Sequence, residues 1–318
     1  MYIMKMRPAF KDYLWGGTKL KSDYNKHSDL DIIAESWELS CHPNGQSTIT
    51  NGPLAGKTLD FIFEDDATVT AILGHNCRKM TKFPLLIKLI DAQMDLSVQV
   101  HPDDKFASKH EGEFGKTEVW IILDCDIGAG IYYGLKRNVS REELANSIKN
   151  NTVLELLNEV KVSKGDVFFI SPGTIHAIGA GIVIAEIQQN SDVTYRLYDY
   201  DRRDADGNPR HLHIEKGVEC ADLEPTVAPK PPEGFLVSCE YFSVKSLKVT
   251  SNMICYAGVD SFQALLVTEG DGVVHHGNNK IEIVKGDCLF IPANIGEYEI
   301  TGTCELLLSY AGEPDEIK

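Results

Sequence analysis

Lys164-Gly-Asp-Val-Phe-Phe-Ile170 and, further along the chain, Lys285-Gly-Asp-Cys-Leu-Phe-Ile291 are two copies of one phrase. In each, a Gly-Asp turn enters an apolar strand that ends near a proline, and such an internal echo points to a duplicated β-unit. Eleven residues after the glycine the first copy has His176, whereas the second has Glu297. If His176 binds a metal, the second copy has lost its ligand and is structural. Working outward, runs rich in Val, Ile, Phe and Tyr recur at 37–40, 85–90, 96–100, 119–123, 167–170 and 182–187, broken by Gly, Pro, Asn and Asp. That punctuation reads as strands.

One helical interlude interrupts them. Ser140-Arg-Glu-Glu143 has capping-box spacing, and Leu144, Ile148, Val153, Leu154, Leu156 and Leu157 follow at near-helical intervals, which predicts two short helices beside the sheet. The proline-rich stretch 224–234 cannot continue a ladder and reads as a linker. The expected architecture is mostly β. Residues 1–138 and 161–223 form a first domain around a helical insert at 139–160, and 235–318 form a smaller β-domain.

The chain has 318 residues, 43% hydrophobic and 25% charged, an ordinary soluble composition able to bury a sizeable core. No apolar run approaches the roughly 20 residues of a bilayer span, and the start lacks the pattern of a secretory signal. The eight cysteines are scattered singly, which suits reduced thiols in a cytoplasm better than a disulfide framework or a thiolate zinc site. A formal net charge of -16 repels polyanions, so nucleic acid is excluded as an expected partner. A phosphorylated small molecule would need a local basic pocket.

The chemistry-bearing residues lie at strand ends. Gln99-Val-His101 follows an apolar run, and residues two apart on a strand share a face, so Gln99 and His101 project together. Alone, such a pair on a strand is usually just two hydrogen-bonded polar groups. Gly173-Thr-Ile-His176-Ala-Ile-Gly179 adds a histidine framed by glycines, and Glu118 opens an apolar strand after Gly115-Lys-Thr. Glu118 alone could simply pair with Lys116. Together, two imidazoles, a carboxylate and a carboxamide from separate strands make an N/O set suited to zinc and other divalent metals, with positions left for water or sugar oxygens. His211-Leu-His213 has ligand-like spacing but precedes a helix start at Ile214 and has no nearby third ligand.

Seven segments carry a family resemblance: Trp15-Gly-Gly17, Glu35-Ser-Trp-Glu38, Cys41-His-Pro-Asn44, Leu96–Asp104, Lys116-Thr-Glu118, Pro172–Gly179, and Gln188–Asp192 through Tyr195–Tyr200. In this order they resemble type I mannose-6-phosphate isomerase, in its short bacterial form, over essentially the whole chain. The resemblance implies a double cupin of two jelly-roll-like barrels, one zinc per chain on Gln99, His101, Glu118 and His176, and an active-site arginine at Arg196. The short form leaves open whether Gln99 ligates. Two departures stand out: the proline of Ser171-Pro172-Gly173 is moved by one place from the usual cupin motif, and Glu118 lies unusually far beyond His101. The charged loop between, with Lys105, Lys109, His110 and Glu111, is read as a cavity rim.

The implied reaction interconverts mannose 6-phosphate and fructose 6-phosphate through an enediol. A divalent cation and Arg196 would stabilise charge on the oxygens, and Lys116, Glu186 and a metal-bound water are all eligible to carry the proton. Lys88, Lys116 and Arg196 are candidates for the phosphate, and His42 for lining the pocket. The alternatives are a non-catalytic sugar-phosphate-binding cupin, an isomerase of another phosphorylated aldose, or a metal-dependent cupin oxidase. The expected protein is cytoplasmic, without membrane or nucleic-acid partners, and a monomer or weak homo-oligomer.

Overall fold

The computed structural model describes residues 1–203 and 207–312. The expected end of the second domain, 313–318, lies outside the described residues. The chain is mostly β, with 40% strand and 17% helix. It forms two compact units. Unit 1 takes Met1–Tyr13, Thr18–Ile90 and the chain from Lys230 onward, and unit 2 takes Leu14–Gly17 and Asp91–Pro229. Residues 1–13 and 18–90, read above with the first domain, thus group with the C-terminal segment.

Unit 1 opens with β1 (Met4–Arg7), β2 (Ala9–Lys11), helix α1 (Lys19–Asp23), β3 (Glu35–Leu39), β4 (Thr48–Ile49), helix α2 (Asp66–Leu73) and β5 (Leu85–Ala92). Unit 2 carries β6 (Val98–Val100), α3 (Asp104–His110), β7 (Glu118–Cys125), β8 (Gly130–Leu135), α4 (Arg141–Lys149), β9 (Leu157–Lys161), β10 (Val167–Ile170), β11 (His176–Ile178), β12 (Ile182–Gln189), β13 (Tyr195–Tyr198) and α5 (Ile214–Cys220). The chain closes unit 1 with β14 (Val237–Ser238), β15 (Phe242–Val249), β16 (Asn252–Ala257), β17 (Gln263–His276), β18 (Asn279–Val284), β19 (Cys288–Ile291) and β20 (Gly296–Ala311).

In unit 1 the order is β14-β15-β20-β17-β19-β1-β4, with β16 on β20 and β18 on β17. Met4 of β1 pairs with Phe290 of β19, which is why the N-terminal strand groups with the C-terminal segment. Leu265, Val267, Leu289, Ile291, Tyr298, Ile300 and Leu306 lie in its core, each almost wholly buried.

In unit 2, one sheet runs β13-β6-β11-β8-β9 and another group runs β10-β7-β12. In the first sheet, apolar and polar residues alternate around the three strands that carry Gln99, His176 and Arg196. Val98 and Val100 flank Gln99, Ile175 and Ala177 flank His176, and Tyr195 and Leu197 flank Arg196. The apolar member of each alternation joins a buried cluster with Leu144 and Ile148 of α4, while Ile214 and Val218 of α5 pack against it. The polar members therefore point to the opposite face. Burying a Val or Leu side chain stabilises by about 1.5–3 kcal/mol, so a one-residue slip would turn the valines outward and press the polar groups against α4 and α5. Register and polarity enforce each other.

The capping box is as read: Ser140 Oγ accepts from the Glu143 N–H and starts α4. The second expected helix is corrected. After α4 only a 3-10 turn, Val153–Leu156, forms, and Leu157 opens strand β9, which pairs with β8. The apolar spacing there was that of a strand edge packing on α4. The charged segment between His101 and Glu118 is in part helical: Asp103 caps α3 by accepting from Phe106 N, and Asp104 to His110 form a short helix.

Candidate metal centre

The three ligand types converge inside unit 2 because two register facts place them. Across β13-β6-β11-β8, Arg196 pairs with Gln99, Gln99 with His176, and His176 with Tyr133, so these four side chains form one row on one face. His101, two residues beyond Gln99, continues that face. From the other group, Glu118 opens β7 opposite Gln188 of β12, and Trp120 lies opposite Glu186. The two faces meet: the Trp120 ring stands edge-on to His176 with centroids 5.2 Å apart, and the Tyr133 hydroxyl donates to Phe169 O of β10 at 2.7 Å.

His101 Nε2 lies 3.6 Å from Glu118 Oε2, and His176 Nε2 lies 3.5 Å from Glu118 Oε1. The donor atoms of these three residues all fall within 4.8 Å of one another, and the side chains are 0–1% exposed. His101 Nδ1 meets Val193 O at 2.9 Å, and His176 Nδ1 meets Thr174 O at 2.8 Å. A carbonyl can only accept, so both Nδ1 atoms carry the proton and both Nε2 atoms offer a lone pair toward Glu118. This is the arrangement in which backbone carbonyls orient imidazoles for a metal. Burial holds His176 neutral, its pKa lowered to about 3. Ligands about 2.0–2.1 Å from a tetrahedral zinc ion stand roughly 3.3 Å apart, so the two histidine–glutamate separations come within a few tenths of an ångström of that spacing, while the set as a whole spreads over up to 4.8 Å.

Lys116 reaches into the same cluster. Its ammonium lies 3.1 Å from His101 Nε2, bonds Glu118 Oε2 and stands 3.9 Å from Glu186 Oε1. Glu186 is in turn held by the Trp120 indole N–H at 2.9 Å. The Gln99 carboxamide nitrogen is 3.4 Å from His176 Nε2. Turning that amide over would present its oxygen instead. Arg196 is half-buried, with Nε on Ser97 Oγ at 3.2 Å and Nη1 on His211 O at 3.1 Å. Burial lowers its pKa somewhat from the usual arginine value.

The structure thus brings together Gln99, His101, Lys116, Glu118, His176, Glu186 and Arg196. Lys88 and His42 belong to unit 1. There Lys88 is buried, 3.6 Å from Glu35 and stacked over Trp37, and His42 stands edge-on to the same indole while its Nδ1 accepts from Asn44 N. His213 does not act as a ligand here, since its Nδ1 accepts from Arg196 N at 3.2 Å. Sequence reasoning left Trp120 and Tyr133 without a role. The signal for Trp120 was its place two residues after Glu118, on the same strand face.

A buried two-histidine, one-carboxylate centre that could hold a metal ion, set in a mostly-β chain, defines the class as a cupin. The model of the mannose-6-phosphate isomerase cupin domain matches residues 233–311, and that of the phosphomannose isomerase type I catalytic domain matches residues 3–117. The probable mannose-6-phosphate isomerase GmuF of Bacillus subtilis is 40% identical over 318 residues, covering 96% of this chain and 98% of its own. The mannose-6-phosphate isomerase ManA of the same organism is 40% identical over 314 residues, covering 96% and 97%. The crystal structure of mannose 6-phosphate isomerase from Bacillus subtilis superposes with a TM-score of 0.88 at 37% identity, covering 97% of this chain and 99% of that one. The chain belongs to the type I phosphomannose isomerase family. It is an isomerase of that family, and no helix among its described residues is long and apolar enough to cross a membrane.

Proposed function

We propose that this chain interconverts mannose 6-phosphate and fructose 6-phosphate, with one zinc ion held by His101, Glu118 and His176 and completed by Gln99. The observation that carries the reading is the pair of carbonyl-oriented imidazoles whose Nε2 atoms face one buried carboxylate. The names of the relatives supply the substrate. When bound, the metal supplies Lewis-acid stabilisation of charge on the sugar oxygens.

The remaining work falls to the chain's own groups. Interconversion moves a proton between carbons 1 and 2 through an enediol, which requires a base close to the ligands. Lys116 and Glu186, 3.9 Å apart at the edge of the ligand set, are the proposed proton-handling pair, with Trp120 fixing the Glu186 carboxylate. Arg196, in the same cross-strand row as Gln99 and His176, supplies a fixed positive group for developing negative charge. Lys88 and His42 are proposed substrate contacts on the strength of the sequence resemblance. The C-terminal copy is proposed to bind no metal. The described cysteines are all free, which supports a cytoplasmic setting.

The test is a coupled assay of mannose 6-phosphate turnover on metal-stripped protein before and after zinc is added, with His176→Ala alongside. Activity restored by zinc in the wild type and absent from the variant is the expected result. Zinc bound at one equivalent with no turnover would instead favour the non-catalytic sugar-phosphate-binding reading.

A further inference from the structure

The segment Gln188-Gln-Asn-Ser-Asp192 drew notice in the sequence, yet the proposed chemistry uses none of it. In the structure its second glutamine is 4% exposed and makes bonds in two directions. Gln189 Oε1 accepts from Thr117 N at 2.8 Å, and Gln189 N donates to Thr117 O at 3.1 Å, so this one residue grips the peptide immediately before Glu118 on both sides. Gln189 Nε2 donates to Asp104 Oδ1 at 3.0 Å, three residues beyond His101. The same Asp104 oxygen accepts from Gly115 N at 2.7 Å, and Lys116 N donates to Pro102 O at 3.0 Å. The amide orientation is unambiguous, because Thr117 N–H must donate and a carboxylate must accept.

We infer that Gln189 is a positioning residue for the metal ligands: its carboxamide ties the segment that presents Glu118 to the segment that presents His101. The inference rests on the metal-centre reading above. Gln189 acts on the ligands through the Thr117 backbone and the Asp104 carboxylate that it holds. A carboxamide is needed because one end must accept and the other donate. Glutamate has the same shape but would set a second carboxylate against Asp104.

The test measures zinc affinity by chelator competition, and the visible spectrum of the cobalt(II)-substituted protein, for the wild type, Gln189→Glu, Gln189→Met and the double variant Gln189→Glu with Asp104→Asn. Orienting partners of metal ligands typically contribute 10–100-fold in affinity, so Gln189→Glu should lose roughly that factor and change the cobalt bands. The double variant turns a donor toward the glutamate but takes the acceptor from Gly115 N, so it should recover only part of it. Gln189→Met keeps the volume without the charge and reports if the glutamate variant fails to fold. Single variants that match the wild type in affinity and cobalt spectrum would overturn the inference while leaving the metal centre intact. A Gln189→Glu loss no larger than that of Gln189→Met would overturn the Asp104 link. A wild-type protein that takes up no zinc would overturn the metal reading and this inference together.

Discussion

The two Lys-Gly-Asp phrases build the same turn and lead to opposite ends. Gly165 and Gly286 adopt φ of +93° and +95°, Asp166 and Asp287 each turn a carboxylate onto the N–H three residues back at 2.8 Å, and the glycine N–H groups reach Ile122 O and Val267 O at 2.8 Å. Ile170 then pairs with Glu118, and Ile291 with Gln263. At this point the copies part. Glu118 faces two imidazoles, whereas the Gln263 carboxamide is taken up by the Tyr298 hydroxyl at 2.7 Å and Tyr256 O at 2.9 Å. His176 is fully buried, and its counterpart Glu297 is exposed while Tyr298 fills the core. One backbone unit thus supports either a ligand site or a filled barrel, and the difference lies in two or three inward side chains.

The largest expected effect breaks the comparison at its chemical end. His176→Ala should lower turnover by more than about 10³, or roughly 4 kcal/mol at 1.36 kcal/mol per decade, and abolish zinc binding as read by metal analysis. Glu297→His should leave the zinc content at one per chain, because Gln263 is already satisfied and the position is exposed. A second equivalent of zinc would overturn the contrast.

Next come the turn glycines, which share a conformation but not a setting. A Cβ on Gly165 would meet nothing within 4 Å, whereas one on Gly286 would stand 2.0 Å from Tyr24 O. Gly165→Ala should cost about 1–2 kcal/mol for the positive φ alone, and Gly286→Ala more than about 3 kcal/mol, measured by urea unfolding. Equal costs would mean that the surroundings of the two turns do not differ as described.

The smallest effect concerns the aspartates. Asp287 also pairs with Lys5 at 2.6 Å, with both side chains partly exposed. Asp287→Asn keeps the turn acceptor and loses the ion pair, so about 0.5–1 kcal/mol of stability should go, and less again at high salt. Asp166→Asn should change stability by less than about 0.5 kcal/mol in the same titration.

Much of this was legible before folding. The strands at 85–92, 118–125, 167–170 and 182–189 announce themselves through β-branched runs and turn residues, and the polar member of each alternation in unit 2 faces the site. The 153–157 stretch was misread because Val153, Leu154, Leu156 and Leu157 pack on α4 without continuing it, and a few apolar residues do not distinguish helix from strand. Trp120 stayed silent for a different reason: a tryptophan on a core strand looks like packing until its N–H is seen on Glu186.

By itself the sequence determined the mostly-β class, the duplicated turn, the capping box and the kinds of side chain available to a metal, because each is written within a few neighbouring residues. Only the tertiary structure decided that Arg196, Gln99 and His176 stand in one row, that Thr174 and Val193 carbonyls select the imidazole tautomers, and that Gln189 ties Asp104 to Thr117. Those facts depend on strand register and on carbonyl positions far apart in the chain. Register is set by burying every apolar face at once, and no local pattern contains it.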